Sequence, residues 1–230
     1  MGDAKGNGSD AQRPAAFVRV EGTLLGRPTL AAAAYLAANA QGVGERLSRL
    51  GNVALAAPFA LGGSLATGST ATRATWAGVR GMGEDRLRLL CEEYWERQLE
   101  PSVHDVGVEL VRQAKKRGAR IVLISDNIDW IVSPIAEQLE ADDLLCNRLE
   151  IKKGRATGRL LEPVVGSQLA GSWARRFASQ HDIDLDRSLA YGASGGDSLL
   201  LSAIGQPCAV NPDRMLRRIA RDHDWPVVDG

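Results

Sequence analysis

Residues 191–229, YGASGGDSLLLSAIGQPCAVNPDRMLRRIARDHDWPVVD, decide the fold. Tyr191-Gly192 closes a short apolar strand, SLAYG (188–192); GDSLLLSAIG then reads as a helix and QPCAV as a last core strand. A strand, a helix and a second strand at this spacing imply a parallel sheet covered by helices. Toward the N-terminus the same alternation recurs. A helix spans about 167–181, and CNRLEIKKGRATGRLLEP (146–163) reads as a hairpin turning at Lys153-Gly154. DWIVSPIAEQLE (129–140) is a helix with Pro134 near its first turn or kinking it, and RIVLIS (120–125) is a strand. In the helix VHDVGVELVRQAKKRG (103–118), Lys115, Lys116 and Arg117 suit the negative end of the dipole and Gly118 suits the C-cap. AAFVRVEG (15–22) is the first buried strand, and Thr29 is the N-cap expected for the Ala-rich helix LAAAAYLAANA (30–40).

Between residues 30 and 100 no strand pattern occurs, and EDRLRLLCEEYWERQL (84–99) places Leu87, Leu90, Tyr94 and Leu99 near one helical stripe. The expected organisation is an α/β Rossmann-like core, residues 15–29 and 101–230, with an inserted α-helical cap, residues 30–100. Met1 to Pro14 is polar and Gly-rich and reads as a disordered tail. No charged residue lies between Arg49 and Arg73, yet Gly51, Pro58, Gly62, Gly63 and Gly68 interrupt that stretch and hydroxyl residues fill its second half. A spanning helix needs about 20 predominantly apolar residues, so a helical hairpin of the cap is preferred to membrane contact.

The 230 residues are 44% hydrophobic and 24% charged, which excludes overall disorder and a collagen-like chain. Lys plus Arg and Asp plus Glu each number 28, so no net positive field draws the chain to nucleic acid or an anionic membrane. Nor do the five tryptophans form an aromatic series with interleaved basic residues. Cys91, Cys146 and Cys208 contain no CxxC pair, which fits reduced thiols in a cytoplasm. Cys91 falls on the apolar side of its helix and reads as core, whereas His104, His181 and His223 stand singly in polar contexts and read as surface residues.

In doubly wound folds, ligands sit at the carboxyl ends of the strands. Those ends here are Arg19-Val20-Glu21-Gly22-Thr23, Ser125-Asp126-Asn127 and Ala193-Ser194-Gly195-Gly196-Asp197. In this order, with a helical insertion after the first strand, they resemble the haloacid dehalogenase superfamily. The Tyr-Gly-x-Ser-x-x-Asp turn and the downstream Val-Asn-Pro-Asp, helix and Trp-Pro resemble its phosphoserine-phosphatase-like branch. The resemblance covers about residues 15 to 230.

That resemblance implies a first strand ending in Asp-x-Asp-Gly-Thr, with the first Asp as nucleophile and the second as general acid and base. This sequence has Arg19 and Glu21 at those positions. Arginine stays protonated and has no nucleophilic lone pair, and the Glu21 carboxyl is one methylene longer than Asp. The family's Mg²⁺ would be held by the nucleophile carboxylate, a backbone carbonyl and a carboxylate of the later turn. Arg19 and Ala193 replace the first and last with a cation and a methyl group, so no metal is expected. A Lys expected before the helix leading to the fourth strand is absent from GSQLAGSWARR (166–176).

Thr23 and Ser125 match parts that shape a phosphate pocket, and Arg19 with them would bind an anion. Alternatively Arg19 neutralises Glu21 and Asp197, since side chains two apart on a strand share a face. Ser125 reads equally as a strand-end hydroxyl capping the next helix, and Asp197 as a helix N-terminal charge. The resulting expectation is a cytoplasmic, catalytically inactive phosphatase homologue with a binding or regulatory role and a phosphorylated small molecule or a protein as partner. Beside it stand an active phosphomonoesterase working through Glu21, Asp197 or Asp126, and a membrane-proximal accessory protein using the uncharged 50–72 segment.

Overall fold

The computed structural model describes residues 13–39 and 68–230. In chain order these form β1 (Ala15–Arg19), α1 (Thr29–Ala38), α2 (Gly68–Ala77), α3 (Glu84–Tyr94), α4 (Asp105–Lys116), β2 (Arg120–Ile128) and α5 (Asp129–Gln138). There follow β3 (Asp143–Asn147), β4 (Leu149–Lys152), β5 (Arg155–Leu160), α6 (Ala170–Gln180), β6 (Leu189–Gly192), α7 (Ser198–Leu201), β7 (Gln206–Val210), α8 (Arg214–Asp222) and β8 (Val227–Val228). Six strands make a parallel sheet in the order β3-β2-β1-β6-β7-β8.

β1 lies at the centre and all five of its residues are buried. Alternation sends Ala16 and Val18 to one face, with Ile121 and Leu123 of β2, and Ala15 and Phe17 to the other, with Val122 and Ile124. A strand apolar on both faces belongs in the middle of a helix-covered parallel sheet. The first face is covered by α1, α3, α4 and α5, and the second by α6, α7 and α8. Arg19 has the parity of Phe17 and therefore projects on the second face, at the point where the strand runs out.

Several expectations change in detail. Strand β1 stops at Arg19, three residues before the expected end, because Val20 to Leu25 close a turn in which Leu24 and Leu25 both donate to the Val20 carbonyl at 3.0 Å. β2 instead runs on to Ile128 through the Ser-Asp-Asn segment. Thr29 is not an N-cap: Pro28 occupies that position, and the Thr29 hydroxyl turns to Glu21. Pro134 sits in the second turn of α5. Cys146 and Asn147 belong to a further strand, β3, and not to the hairpin, and the two-residue edge strand β8 is an additional element. Pro14 and Arg13 are not tail, because the Pro14 carbonyl accepts from Arg120 N at 3.0 Å and Arg13 bridges to Ile183. Residues 1–12 of the expected tail and 40–67 of the expected cap and uncharged segment lie outside the described residues. Among the described residues no helix is long and apolar enough to cross a membrane.

The hairpin β4–β5 turns at Lys153 and Gly154, both with positive φ (52° and 69°), as the sequence reading placed it. It leaves the parallel sheet and joins the helical insertion: Gly81 N donates to Ala156 O at 2.7 Å, Ala156 N to Met82 O at 2.9 Å and Glu84 N to Gly154 O at 2.9 Å.

Candidate functional site

Three strand ends converge because their strands are neighbours. Arg19 pairs in register with Ile124, and Val18 with Tyr191, so Ser125-Asp126 and Ala193 to Asp197 emerge on either side of the Arg19 side chain. Arg19 is 2% exposed. Its Nη2 lies 2.8 Å from Asp126 Oδ1 and 3.2 Å from Glu21 Oε2, and its Nε lies 2.8 Å from Asp197 Oδ1. Nη1 donates to the Ile124 carbonyl at 3.3 Å and Nη2 reaches Ser167 Oγ at 3.5 Å. The Nε–Asp197 contact is one of charge without aligned hydrogen-bond geometry, since neither atom has a hydrogen-bond partner.

Each carboxylate is also held by its second oxygen. Asp197 Oδ2 accepts from Ala193 N at 3.0 Å, Ser194 N at 2.9 Å and Ser194 Oγ at 3.0 Å, closing a capping box. Asp126 Oδ2 accepts from Ser167 Oγ at 2.7 Å. Glu21 Oε1 accepts from Ser125 Oγ at 2.5 Å and Asn127 Nδ2 at 3.1 Å. Burial works against the Arg19 charge, but Asp126, Asp197 and Glu21 outweigh it and its pKa is raised. The Glu21 pKa is also raised, first by burial and further by Asp126, even though Arg19 pulls it down. One cation shared by three carboxylates leaves each of them incompletely compensated.

Arg19, Glu21, Ser125 and Asp197 therefore meet, with differences in what they touch. Arg19 contacts both Glu21 and Asp197, and Asp126 joins them as a third partner. Ser125 is fully buried and spends its hydroxyl proton on Glu21 while its oxygen accepts from Asn127 N at 3.0 Å. Thr23 is fully buried too, and its Oγ1 has no hydrogen-bond partner. Ala193 is placed beneath the first turn: a Cβ at Gly22, whose φ is +80°, would stand 2.6 Å from the Ala193 Cβ. His104 is not a free surface residue, because its Nδ1 is 3.1 Å from the Gly22 carbonyl and its backbone N donates to Leu24 O.

Sequence reasoning missed Ser167, Asn147 and Asp213. Asn147 is fully buried and braces the site, donating to the Asp126 and Val165 carbonyls at 2.8 and 2.9 Å and accepting from Val165 N. Recognising β3 would have exposed it as another strand-end residue. Asp213 caps α8 and accepts from Gly195 N at 3.1 Å, fastening the turn that carries Asp197. Ser167 lies in GSQLAGSWARR (166–176), the stretch that holds no lysine.

The sequence matches the haloacid dehalogenase-like hydrolase family over residues 20–202, and the chain belongs to that family. It is 31% identical over 151 residues to the "inhibition of morphological differentiation protein" of Streptomyces azureus, covering 65% of this chain and 54% of that protein. It is 29% identical over 157 residues to phosphoserine phosphatase SerB1 of Mycobacterium tuberculosis, covering 68% of this chain and 51% of that one. The chain thus spans about half the length of the curated relatives it matches. A crystal structure of a protein of unknown function from Bordetella pertussis Tohama I shares the fold, with a TM-score of 0.80 and 23% identity over 95% of this chain and 99% of that one.

Proposed function

We propose that this chain is a phosphatase homologue that does not transfer phosphoryl groups and acts as a cytoplasmic binding or regulatory protein. The observation that carries the proposal is the buried Arg19 guanidinium, within 2.8–3.2 Å of all three carboxylates of the site. A family member that turns over phosphate esters needs a carboxylate nucleophile at the end of β1, and a guanidinium has no lone pair to attack phosphorus. Transfer of this kind also depends on metal and carboxylates to place charge around phosphorus.

Magnesium does not fit this set of residues. It requires near-octahedral oxygen ligands, and the side chain among the oxygens is cationic while Ala193 presents a methyl group. An anion at Arg19 is disfavoured as well. The guanidinium is almost inaccessible and its charge is already exceeded by its carboxylate neighbours, so a phosphate approaching Glu21 and Asp126 meets like charge. The reading therefore favours a protein partner over a phosphate-bearing ligand at this point of the structure.

The test is release of phosphate from p-nitrophenyl phosphate and from L-phosphoserine by the purified chain with MgCl₂. No release above the blank is expected, and melting in beryllium fluoride plus MgCl₂, which mimics the acyl phosphate, should not shift. Magnesium-dependent release lost in Asp197→Asn would establish the rival reading, an active phosphomonoesterase working through Glu21, Asp126 or Asp197.

A further inference from the structure

The two edges of the parallel sheet are built differently. β8 is two residues long and follows Pro226, so it offers little to pair with. β3 is five residues long, contains no Pro, Gly or Lys, and among the described residues is paired on one side only, to β2. Asp142 N donates to Ile121 O at 3.0 Å, and backbone groups alternate in direction along a strand. Those of Leu144 therefore also face β2, while those of Asp143 and Leu145 face outward. Outward N–H and C=O groups are a template for another strand. The edge is apolar on both faces: Leu144 and Cys146 pack against the first face of the sheet and Leu145 against the second, all three half-buried. Asp143 is neutralised within its own chain, since Arg120 Nε donates to its Oδ2 at 2.6 Å and Arg120 Nη2 to its Oδ1 at 3.1 Å. Asp142 and Arg148, both exposed, flank the strand with the parity of Leu144 and Cys146.

We infer that two copies of this chain associate through their β3 edges, antiparallel about a twofold axis at Leu145, so that the two sheets join into one. The axis fixes every partner: Leu145 faces Leu145 of the second copy, Leu144 faces Cys146, Asp143 faces Asn147 and Asp142 faces Arg148. The outward backbone groups of Leu145 make it a hydrogen-bonded pair. Asp142 and Arg148 then fall in a non-hydrogen-bonded pair, where opposed side chains stand closest, and symmetry sets this opposite-charge pair at both ends of the ladder. An axis at Leu144 would put Asp142 opposite Cys146, and one at Cys146 would put Arg148 opposite Leu144. Among axes within β3, the one at Leu145 alone brings opposite charges face to face. Because the pairing uses up β3 and the other edge is short, assembly closes at two copies. The inference does not depend on whether the chain turns over phosphate esters.

A pairing of this length is a small interface, so association in the micromolar range is expected. Sedimentation equilibrium of the natural chain from about 1 to 100 μM should show a monomer–dimer equilibrium. Arg148→Asp sets Asp142 against a like charge at both ends of the ladder and should raise the dissociation constant about tenfold; Asp142→Arg added to it should bring the dimer back. In a Cys146→Ser background, Leu145→Cys should form a disulfide-linked dimer on mild oxidation, because the Cα atoms of a hydrogen-bonded pair lie about 5.5 Å apart. Cys146 of the natural chain, placed opposite Leu144, should not cross-link. A monomer across the whole range, an assembly larger than two copies, or a dimer that Arg148→Asp leaves unchanged overturns the inference. So does a folded double variant no tighter than Arg148→Asp, or a Leu145→Cys chain that does not cross-link. Should the double variant fail to fold, the cross-link decides: its formation supports the inference and its failure overturns it.

Discussion

Asp197→Asn separates a buried keystone from its more exposed neighbour. Asp197 is 1% exposed and uses both oxygens, Oδ2 for three donors of its own turn and Oδ1 for Arg19 Nε. Asparagine must place its NH₂ on one of those sides, where it meets N–H groups in either orientation. The less costly choice keeps the turn and faces Arg19, losing one contact to a charged group, worth about 1.5–3 kcal/mol. Weakening a charged cap adds about 0.5–1 kcal/mol. Arg19 retains Asp126 and Glu21, so no charge is orphaned, and the total is about 2–4 kcal/mol. At about 2–4 °C per kcal/mol for a chain of this size, melting should fall by roughly 5–15 °C. Asp126 is 20% exposed, and water can take over its bonds, so Asp126→Asn should cost only about 1 kcal/mol. Urea unfolding of both variants at pH 7, followed by tryptophan fluorescence, checks the pair. A loss below about 1 kcal/mol for Asp197→Asn, or a larger one for Asp126→Asn, refutes the reasoning.

Gly22→Ala should destabilise by about 2–4 kcal/mol in the same urea assay, because the residue has φ +80° and its new methyl would meet Ala193 Cβ at 2.6 Å. Glu21 has a folded pKa raised above 4.5, chiefly by burial, so the folded state holds its proton longer than the unfolded one. Its contribution is full below about pH 4.5 and is lost as pH rises through the folded value. The unfolding free energy of the natural chain should therefore fall relative to Glu21→Gln between acid and neutral pH, which urea titrations across that range measure. Burial, and then Asp129, push the Cys91 and Cys146 thiols up to about 12. Iodoacetamide at pH 8 should leave both unlabelled in the native chain and alkylate them in urea, as mass spectrometry would show.

The fold was legible wherever burial imposed a period. RIVLIS, QPCAV and SLAYG are apolar runs flanked by turn residues, and each became a strand of the parallel sheet. β3 was not, because Asp143, Leu144, Leu145 and Cys146 are only half-buried at the sheet edge and give neither a clean alternation nor an apolar run. β8 is two residues long and pairs only because Ala209 and Val210 offer an open edge. In the site, the strand-end rule brought Arg19, Glu21, Ser125 and Asp197 together. It did not say that Asp126 would turn inward as a third partner of Arg19. That depends on the pairing of β2 with β3, which shifts register between Ile124 and Ile128, a tertiary feature with no local signal. Ser167 and Asp213 likewise act across the chain, on carboxylate and backbone partners 41 and 18 residues away.

The attachment of the β4–β5 hairpin to the helical insertion sets an order of assembly. Gly81, Met82 and Glu84 find these backbone partners only at Gly154 and Ala156, 70 or more positions further along the chain. During synthesis, the residues of α2 and α3 leave the ribosome well before those partners exist, and at about 5–20 residues per second the interval is several seconds. Throughout it Trp76, Val79 and Met82 lack Leu149, Ala156 and Leu160 of the hairpin, with which they share one core cluster. The insertion cannot reach its final form ahead of the core strand β2 that lies between the two segments. A nascent chain stalled just past Leu160, with its hairpin still inside the exit tunnel, would carry an unfinished insertion.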